Sequence, residues 1–326
     1  MPLPEALRLL VHFQCMPVLA SGGEETLVGG QAVMEGVMMR APHSYCVAVR
    51  KASGEIVSQG KPLPKMSEKY PIFRFPVLRG LGTLGQALGL GMRTLQYSAN
   101  VALEELKPQA ATKEMSSWML WLNIGLALGF FIFMYKLVPL YLATALSKLF
   151  PALGGRIPFN LVDGVIRMAI FIGFMFLLSF WKDIRRVFEY HGAEHRVVFN
   201  FESDLPVTVE NAQTFPTFHP RCGTSFLLVV MLVSIGVYTL LPFDSFLLKF
   251  AGRILLLPVI AGLSYELIRF AARHRGGLLS TLTAPGLWLQ RITTRPPSAD
   301  QTQVAIEALE RAMAIEKAQG GQLVIA

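Results

Sequence analysis

Four long apolar stretches constrain this chain more than anything else in it, because about 20 consecutive apolar residues is the length of a helix that crosses a bilayer. The first, "WMLWLNIGLALGFFIFMYKLVPLYLATAL", runs from Trp118 to about Leu146. The second spans Leu161 to Trp181, the third Thr224 to about Leu241, and the fourth Phe246 to about Phe270. Composition agrees: 52% of the 326 residues are hydrophobic and 16% are charged. The mean hydropathy of +0.45 is too high for an ordinary soluble domain. The fold class expected is a mainly α integral membrane protein of about four transmembrane helices, with a small cytoplasmic N-terminal β element and interfacial helices.

The net charge of +8 then reads as cytoplasmic loops rather than as a nucleic-acid surface. Lys182, Arg185, Arg186, Arg196 and Arg221 follow the second span, Arg269, Arg273, Arg275, Arg291 and Arg295 close or follow the fourth, and Arg40, Arg50, Lys51, Arg74, Arg79 and Arg93 precede the first. The other two connections hold only Lys148, Arg156 and Asp244. Both termini and the 182–223 segment are therefore predicted to be cytoplasmic. Three scattered cysteines, Cys15, Cys46 and Cys222, make no C-x-x-C pair and suggest a reducing compartment. The opening residues lack the basic flank and unbroken apolar run of a signal peptide, and Met16 offers a second start.

The chain divides into a variable extension (1–26), a Gly-rich loop with a β-hairpin (27–70), a region of interfacial or re-entrant helices (71–117), the four-helix membrane domain (118–290) and a soluble amphipathic helix (291–326). The hairpin is read from the alternation in "YCVAVRKASGEIVSQG", about Tyr45 to Val57, across a Ser-Gly turn. The last helix opens on Ser298 or Asp300 as N-cap and is free to dock on the body or on a partner. "VGGQAVMEGVMMRAP" lacks the Gly-Lys-Ser/Thr ending of a phosphate loop. Its Glu35 lies among apolar residues and needs a partner, for which Arg40 is the nearest cation. Residues 71–106 carry too many glycines for a span and read as a helix pair.

Inside the spans, Asp163 and Arg167 are four apart and form an ion pair on one helix face. Lys249, Arg253 and Glu266 have no local counter-charge and read either as pairs near the interfaces or as a conduction path. A transporter would also be expected to show a repeat, and none is visible.

The chemistry gathers in "YHGAEHRVVFNFESDLPVTVENAQTFPTFHPRCGTS". With the second helix continuing past Trp181, His191 and His195 lie one turn apart on one face, and Glu194 stands beside the second. His-x-x-Glu-His is the inverted form of the zinc-protease helix motif, in which histidines hold the metal and the glutamate acts as general base. A third ligand is sought among Glu202, Asp204, Glu210, His219 and Cys222. Cys222, just before the third span and next to Arg221, is either a ligand or a nucleophile paired with a histidine. A bland alternative stands beside this one: an interfacial helix end with structural histidines.

Taken together, "GGQAVMEGVMMRAP", "YHGAEH", "VTVENA" and "HPRCGTSFLLVVML" resemble the bacterial YqhQ-like membrane proteins, a family of unknown function sometimes described as metal-dependent enzymes. The likeness covers nearly all of residues 27–290 and leaves the C-terminal helix outside. It implies a multi-pass protein of the bacterial inner membrane and a divalent metal, zinc before others. The family's polar positions fall here on Gln31, Glu35, Arg40, His191, Glu194, His195, Glu210, His219, Arg221 and Cys222. The expected site has His191, His195 and one of His219, Glu210 or Cys222 as ligands, Glu194 as base, Glu35 as a second carboxylate and Cys222 as an alternative nucleophile. The reaction expected is metal-assisted hydrolysis at the membrane surface. The alternative is a non-catalytic scaffold in which the basic cytoplasmic face binds a protein, a ribosome or anionic lipid around a structural His/Cys cluster. A transporter is the third reading.

Overall fold

The computed structural model describes residues 28–106, 117–203, 205–220, 222–273 and 284–319. A four-stranded antiparallel meander opens the chain: β1 (Gly29–Val33), β2 (Gly36–Arg40), β3 (Ser44–Arg50) and β4 (Ile56–Pro62). The expected hairpin is β3–β4, with Arg50 paired to Ile56 and Gly54 in the left-handed region of its loop. The Gly-rich "loop" before it is a second hairpin. Val33 pairs with Gly36, so Met34 and Glu35 form a two-residue turn, and Glu35 takes a positive φ of 52°. Gly36 lies so close to β3 that a Cβ would sit 2.2 Å from the Ala48 carbonyl oxygen, a distance open only to glycine.

Period-two alternation gives the sheet two apolar faces. Val37, Met39 and Ala48 pack on one side, against helices α5 (Lys182–Glu202) and α11 (Ala299–Ala318). Val33, Met38, Tyr45, Val47 and Val49 pack on the other, against Leu90 and Val101 of α1 (Leu78–Leu106). The 71–106 segment is thus not a helix pair. After a short 3-10 turn at Pro71–Arg74 it is one helix of 29 residues. Three of its glycines are packing surfaces rather than breaks: at Gly80 a Cβ would meet the Tyr265 ring, at Gly82 the Phe73 ring, and at Gly91 the Gln31 amide.

The apolar part begins with α2 (Ser117–Ile132), a π-helical turn at Phe133–Leu137, and α3 (Val138–Leu149). Pro139 has no N–H to return to the carbonyl of Tyr135, which accounts for the widened turn just ahead of it. Then follow α4 (Arg156–Leu178), α7 (Gly223–Leu240) and the pair α8 (Phe246–Leu255) and α9 (Leu257–Arg273). Among the described residues three helical stretches are long and apolar enough to cross a membrane, Gly125–Leu149, Arg156–Leu178 and Gly223–Leu240. The pair Phe246–Leu255 and Leu257–Phe270, bent by 51°, makes a fourth if it is one span.

The second span does not continue into the histidine segment. α4 ends at Leu178, the chain turns through Ser179 and Phe180, and Trp181 in an extended conformation starts α5 as a separate helix. Short helix α6 (Val209–Thr214) packs on α5, and α10 (Ala284–Thr293) lies along α7. Ser298, one of the two expected caps, accepts a hydrogen bond from the Gln301 amide to begin α11. That helix docks on the sheet, as the choice between body and partner left open.

Candidate metal centre

Helix α5 positions the histidines through its small residues. His191, Glu194 and His195 share a face by their i, i+3, i+4 spacing. Ala193 is fully buried against the sheet and α11. At Gly192 the chain leaving α10 crosses so closely that a Cβ would lie 2.0 Å from the Arg295 carbonyl oxygen. The "GA" between the histidines is therefore dictated by packing, and it seats α5 beside the end of α10.

The last carbonyls of a helix lack partners within it. The carbonyl of Thr293, at the end of α10, accepts a hydrogen bond from His191 Nδ1 at 2.8 Å. The carbonyl of Thr217 accepts one from His195 Nδ1 at 2.5 Å. A carbonyl can only accept, so both rings carry their proton on Nδ1 and, when neutral, present an Nε2 lone pair. Burial holds the His195 imidazole below its ordinary range and so favours that neutral form. The two rings stand 4.4 Å apart between centroids.

Cys222 supplies the third group. It is the N-cap residue of α7, and its Sγ lies 3.2 Å from His191 Nε2 and 3.2 Å from Thr224 Oγ1. Burial pushes the thiol up, but contact with His195 and hydrogen bonds from Thr224 outweigh it, and the net direction is down, toward thiolate. One ligand atom each from His191, His195 and Cys222 fall within 4.8 Å of one another. Tetrahedral zinc with N and S ligands at about 2.0–2.3 Å requires ligand atoms separated by roughly 3.3–3.8 Å. The donor set suits such an ion, and so does His195 Nε2, which is buried without a hydrogen bond of acceptable geometry.

Glu194, 7% exposed, turns toward β1, where a Cβ on Gly30 would lie 2.9 Å from its Cγ. Its Oε2 is buried without a hydrogen bond. Burial pushes the carboxyl up to about 7, with His191 and the Gly30 amide pulling it down and Cys222 adding to the rise. The group is thereby poised to hold or release a proton near neutrality.

The other expected residues are distributed elsewhere. His219 is buried, with its Nε2 at 3.5 Å from Glu202, and burial lowers its imidazole to about 4. It stands beside the three-donor group rather than within it, its ring 5.7 Å from that of His195. Glu210 is exposed in the first turn of α6. Glu35 does not pair with Arg40. Its carboxylate takes Arg186 of α5, with the Tyr190 hydroxyl at 3.3 Å, and so ties the β1–β2 turn to that helix. Arg40 donates instead to Gln86 at 2.9 Å. Gln31 packs at Gly91 of α1. Arg221, Asp204 and Cys15 lie outside the described residues.

The residues not foreseen are mostly backbone groups, the carbonyls of Thr217 and Thr293 and the Gly30 amide, which leave no mark in side-chain chemistry. Gln290 is the exception. Its buried side chain accepts from the His219 amide at 2.7 Å and donates to the His219 carbonyl at 2.8 Å, clamping the turn that carries Cys222 onto α10.

Comparison with known proteins agrees with the resemblance and extends it. Residues 75–315 match the family described as "Protein of unknown function (DUF1385)", so the match takes in most of α11, which the sequence reading left outside. The chain is 33% identical over 297 residues to the "Uncharacterized protein YqhQ" of Bacillus subtilis (strain 168), covering 88% of this chain and 92% of that one. No solved structure matches the chain. The chain thus belongs to the DUF1385 family, among the YqhQ-like proteins.

Proposed function

We propose that this protein is a multi-pass component of the bacterial inner membrane, with both termini and the 182–223 segment in the cytoplasm, and that it carries out metal-assisted hydrolysis at the membrane surface. One observation carries the reading: two imidazoles with Nδ1 fixed by backbone carbonyls direct their Nε2 atoms at the sulfur of Cys222, all within 4.8 Å. His191, His195 and Cys222 would hold a divalent ion, zinc by the donor set, while Thr217 and Thr293 orient the rings. When bound, such an ion supplies Lewis acidity toward a carbonyl or phosphoryl oxygen. Glu194 takes up the proton of the attacking water, a task suited to a carboxyl pushed up to about 7. Among the described residues the group has three protein donors rather than four, which favours this reading over the closed structural site of a scaffold. A substrate at this depth is a membrane peptide or a lipid head group.

The 3.2 Å contact between Cys222 and His191 also supports a second reading, a thiol nucleophile with an imidazole base and no metal. Elemental analysis of detergent-purified protein separates the two. We expect about one zinc per chain in the parent, none in the His191→Ala/His195→Ala double variant, and an unchanged amount in Glu194→Gln, with all three eluting alike in size exclusion. A parent that stays free of metal after incubation with zinc would sink the metal centre and leave the nucleophile and scaffold readings.

A further inference from the structure

At the other end of the apolar helices lies a second polar cluster, to which every candidate span contributes. Lys136 comes from the π-helical turn, Asn160, Asp163 and Arg167 from α4, Ser234 and Tyr238 from α7, and Arg253 from α8, just before the bend. Lys136, Asp163, Arg167 and Arg253 are 6%, 1%, 3% and 2% exposed. Asp163 pairs with Arg167 and lies 3.4 Å from Arg253. Arg167 also donates to Ser234 at 2.6 Å, Arg253 to Asn160 at 3.0 Å, and Lys136 to the Tyr238 hydroxyl at 3.2 Å. The Tyr238 ring faces all three cations, at 5.6, 5.3 and 4.9 Å.

This cluster has one carboxylate for three cations. Its Arg167 Nε and Arg253 Nε donors are buried without hydrogen bonds. Excess charge among apolar helices is costly unless an anion meets it. Next to the cluster a cavity of about 40 Å³ opens between the turn before α4 and the turn before α8, lined by Arg156, Asn160, Tyr238, Asp244, Lys249 and Arg253. With Arg253 counted once, cluster and cavity together hold five cations, Lys136, Arg156, Arg167, Lys249 and Arg253, against the carboxylates of Asp163 and Asp244. Lys249 is held over the Phe159 ring at 4.2 Å, so its ammonium sits at the cavity wall.

We infer that this cavity binds a phosphate group. Its Arg156 guanidinium and Lys249 ammonium offer the forked and point donors that tetrahedral oxyanions take, and Arg253, whose terminal nitrogens donate to Asn160 and the Lys249 carbonyl, adds positive charge behind them. A water needs about 10–15 Å³ on the same measure, so the space admits a phosphate but not a sugar or nucleoside with it. The group is therefore either free phosphate or the phosphate of a lipid whose tails stay outside. The position at the ends of the apolar helices, level with head groups in a bilayer, serves both.

The test uses the full chain in detergent and in nanodiscs, with orthophosphate and dioleoylphosphatidylglycerol as probes and digalactosyldiacylglycerol, a bilayer lipid without phosphate, as the control. Saturable, stabilising binding of orthophosphate assigns the free ion, and stabilisation by phosphatidylglycerol alone assigns the lipid. In either case Arg253→Gln and the Arg156→Gln/Lys249→Gln double variant should bind about tenfold more weakly or worse. Arg253 is buried in the ion cluster, so that variant is open to misfolding, whereas Arg156 and Lys249 line the rim and their variant should purify like the parent. Absence of saturable binding of both probes to folded parent, or binding unchanged in the rim double variant, would overturn the assignment.

Discussion

Gly192 shows how one residue decides whether the His191–His195–Cys222 group can assemble. Alanine there would gain about 1 kcal/mol of helix propensity. Against that, its Cβ would stand 2.0 Å from the Arg295 carbonyl oxygen, a backbone atom that cannot swing aside. Overpacking of this kind costs about 1–3 kcal/mol, so the clash wins and α5 must move away from α10. We expect Gly192→Ala to lower the melting temperature and to deplete zinc, since Thr293 can then no longer hold His191. A variant with parental melting and zinc content would show that the crossing is looser than described. Glu316 makes a second residue-scale case. Burial alone would push its carboxyl up, but the His43 ring and amide, each at 2.9 Å, and the Ser44 hydroxyl at 2.8 Å donate to it and hold it below its ordinary value of 4.5. A depressed carboxyl stabilises the fold fully above pH 4.5 and loses that contribution as pH falls through its folded value. Glu316→Gln should therefore cost about 2–3 kcal/mol at neutral pH, with the gap to the parent closing in acid. A gap independent of pH would mean that packing, not the charge, is what the variant loses.

At the scale of elements, what could be read from the residues depended on whether an element announces itself through side chains. The spans did, by apolar length, and α11 did, by its Ser298 cap and helical spacing. The β3–β4 hairpin was legible because its residues alternate. Its neighbour β1–β2 was hidden, since glycines at 29, 30 and 36 look like a loop, whereas Gly30 and Gly36 are in fact the close approaches of the sheet to α5 and to β3. Gly80 and Gly91 of α1 misled in the same way, being contact points against Tyr265 and Gln31 in an unbroken helix. In the candidate site, the His-x-x-Glu-His spacing and Cys222 could be found from residue type. The break at Ser179–Trp181, and the choice of Cys222 over His219 and Glu210, could not, because they depend on how α10 returns to α5. Helix α11 covers the apolar face formed by Val37, Met39 and Ala48 and packs on α5 as well. Truncation after Pro297 exposes that face. We expect the truncated chain to aggregate on extraction and to lose its metal, and a monodisperse, zinc-loaded truncation product would contradict this packing.

The molecule as a whole has two chemically different ends, and the orientation proposed for it rests on them. Cys222 begins α7 at one end, and the turns lined by Arg156 and Asp244 meet at the other. With 18 residues between, the two ends of α7 are about 27 Å apart, close to the thickness of a hydrocarbon core. The end with the histidines also carries the sheet, α5 with Lys182, Arg185, Arg186 and Arg196, and α11. The far end has basic residues too, Lys148, Arg156 and Lys249, but these are few, and the last two line a cavity that an anion would neutralise. Orientation responds to the number of Lys and Arg in short connections, so the histidine end should face the cytoplasm despite them. Alkaline phosphatase is active only outside the cytoplasm, whereas green fluorescent protein exported unfolded stays dark. A fusion after Gln319 should fluoresce and lack phosphatase activity, and phosphatase inserted between Gly154 and Gly155 should be active. The opposite pattern would put the metal centre on the outer face, where its thiolate would meet an oxidising environment, and cytoplasmic hydrolysis would fall with the topology.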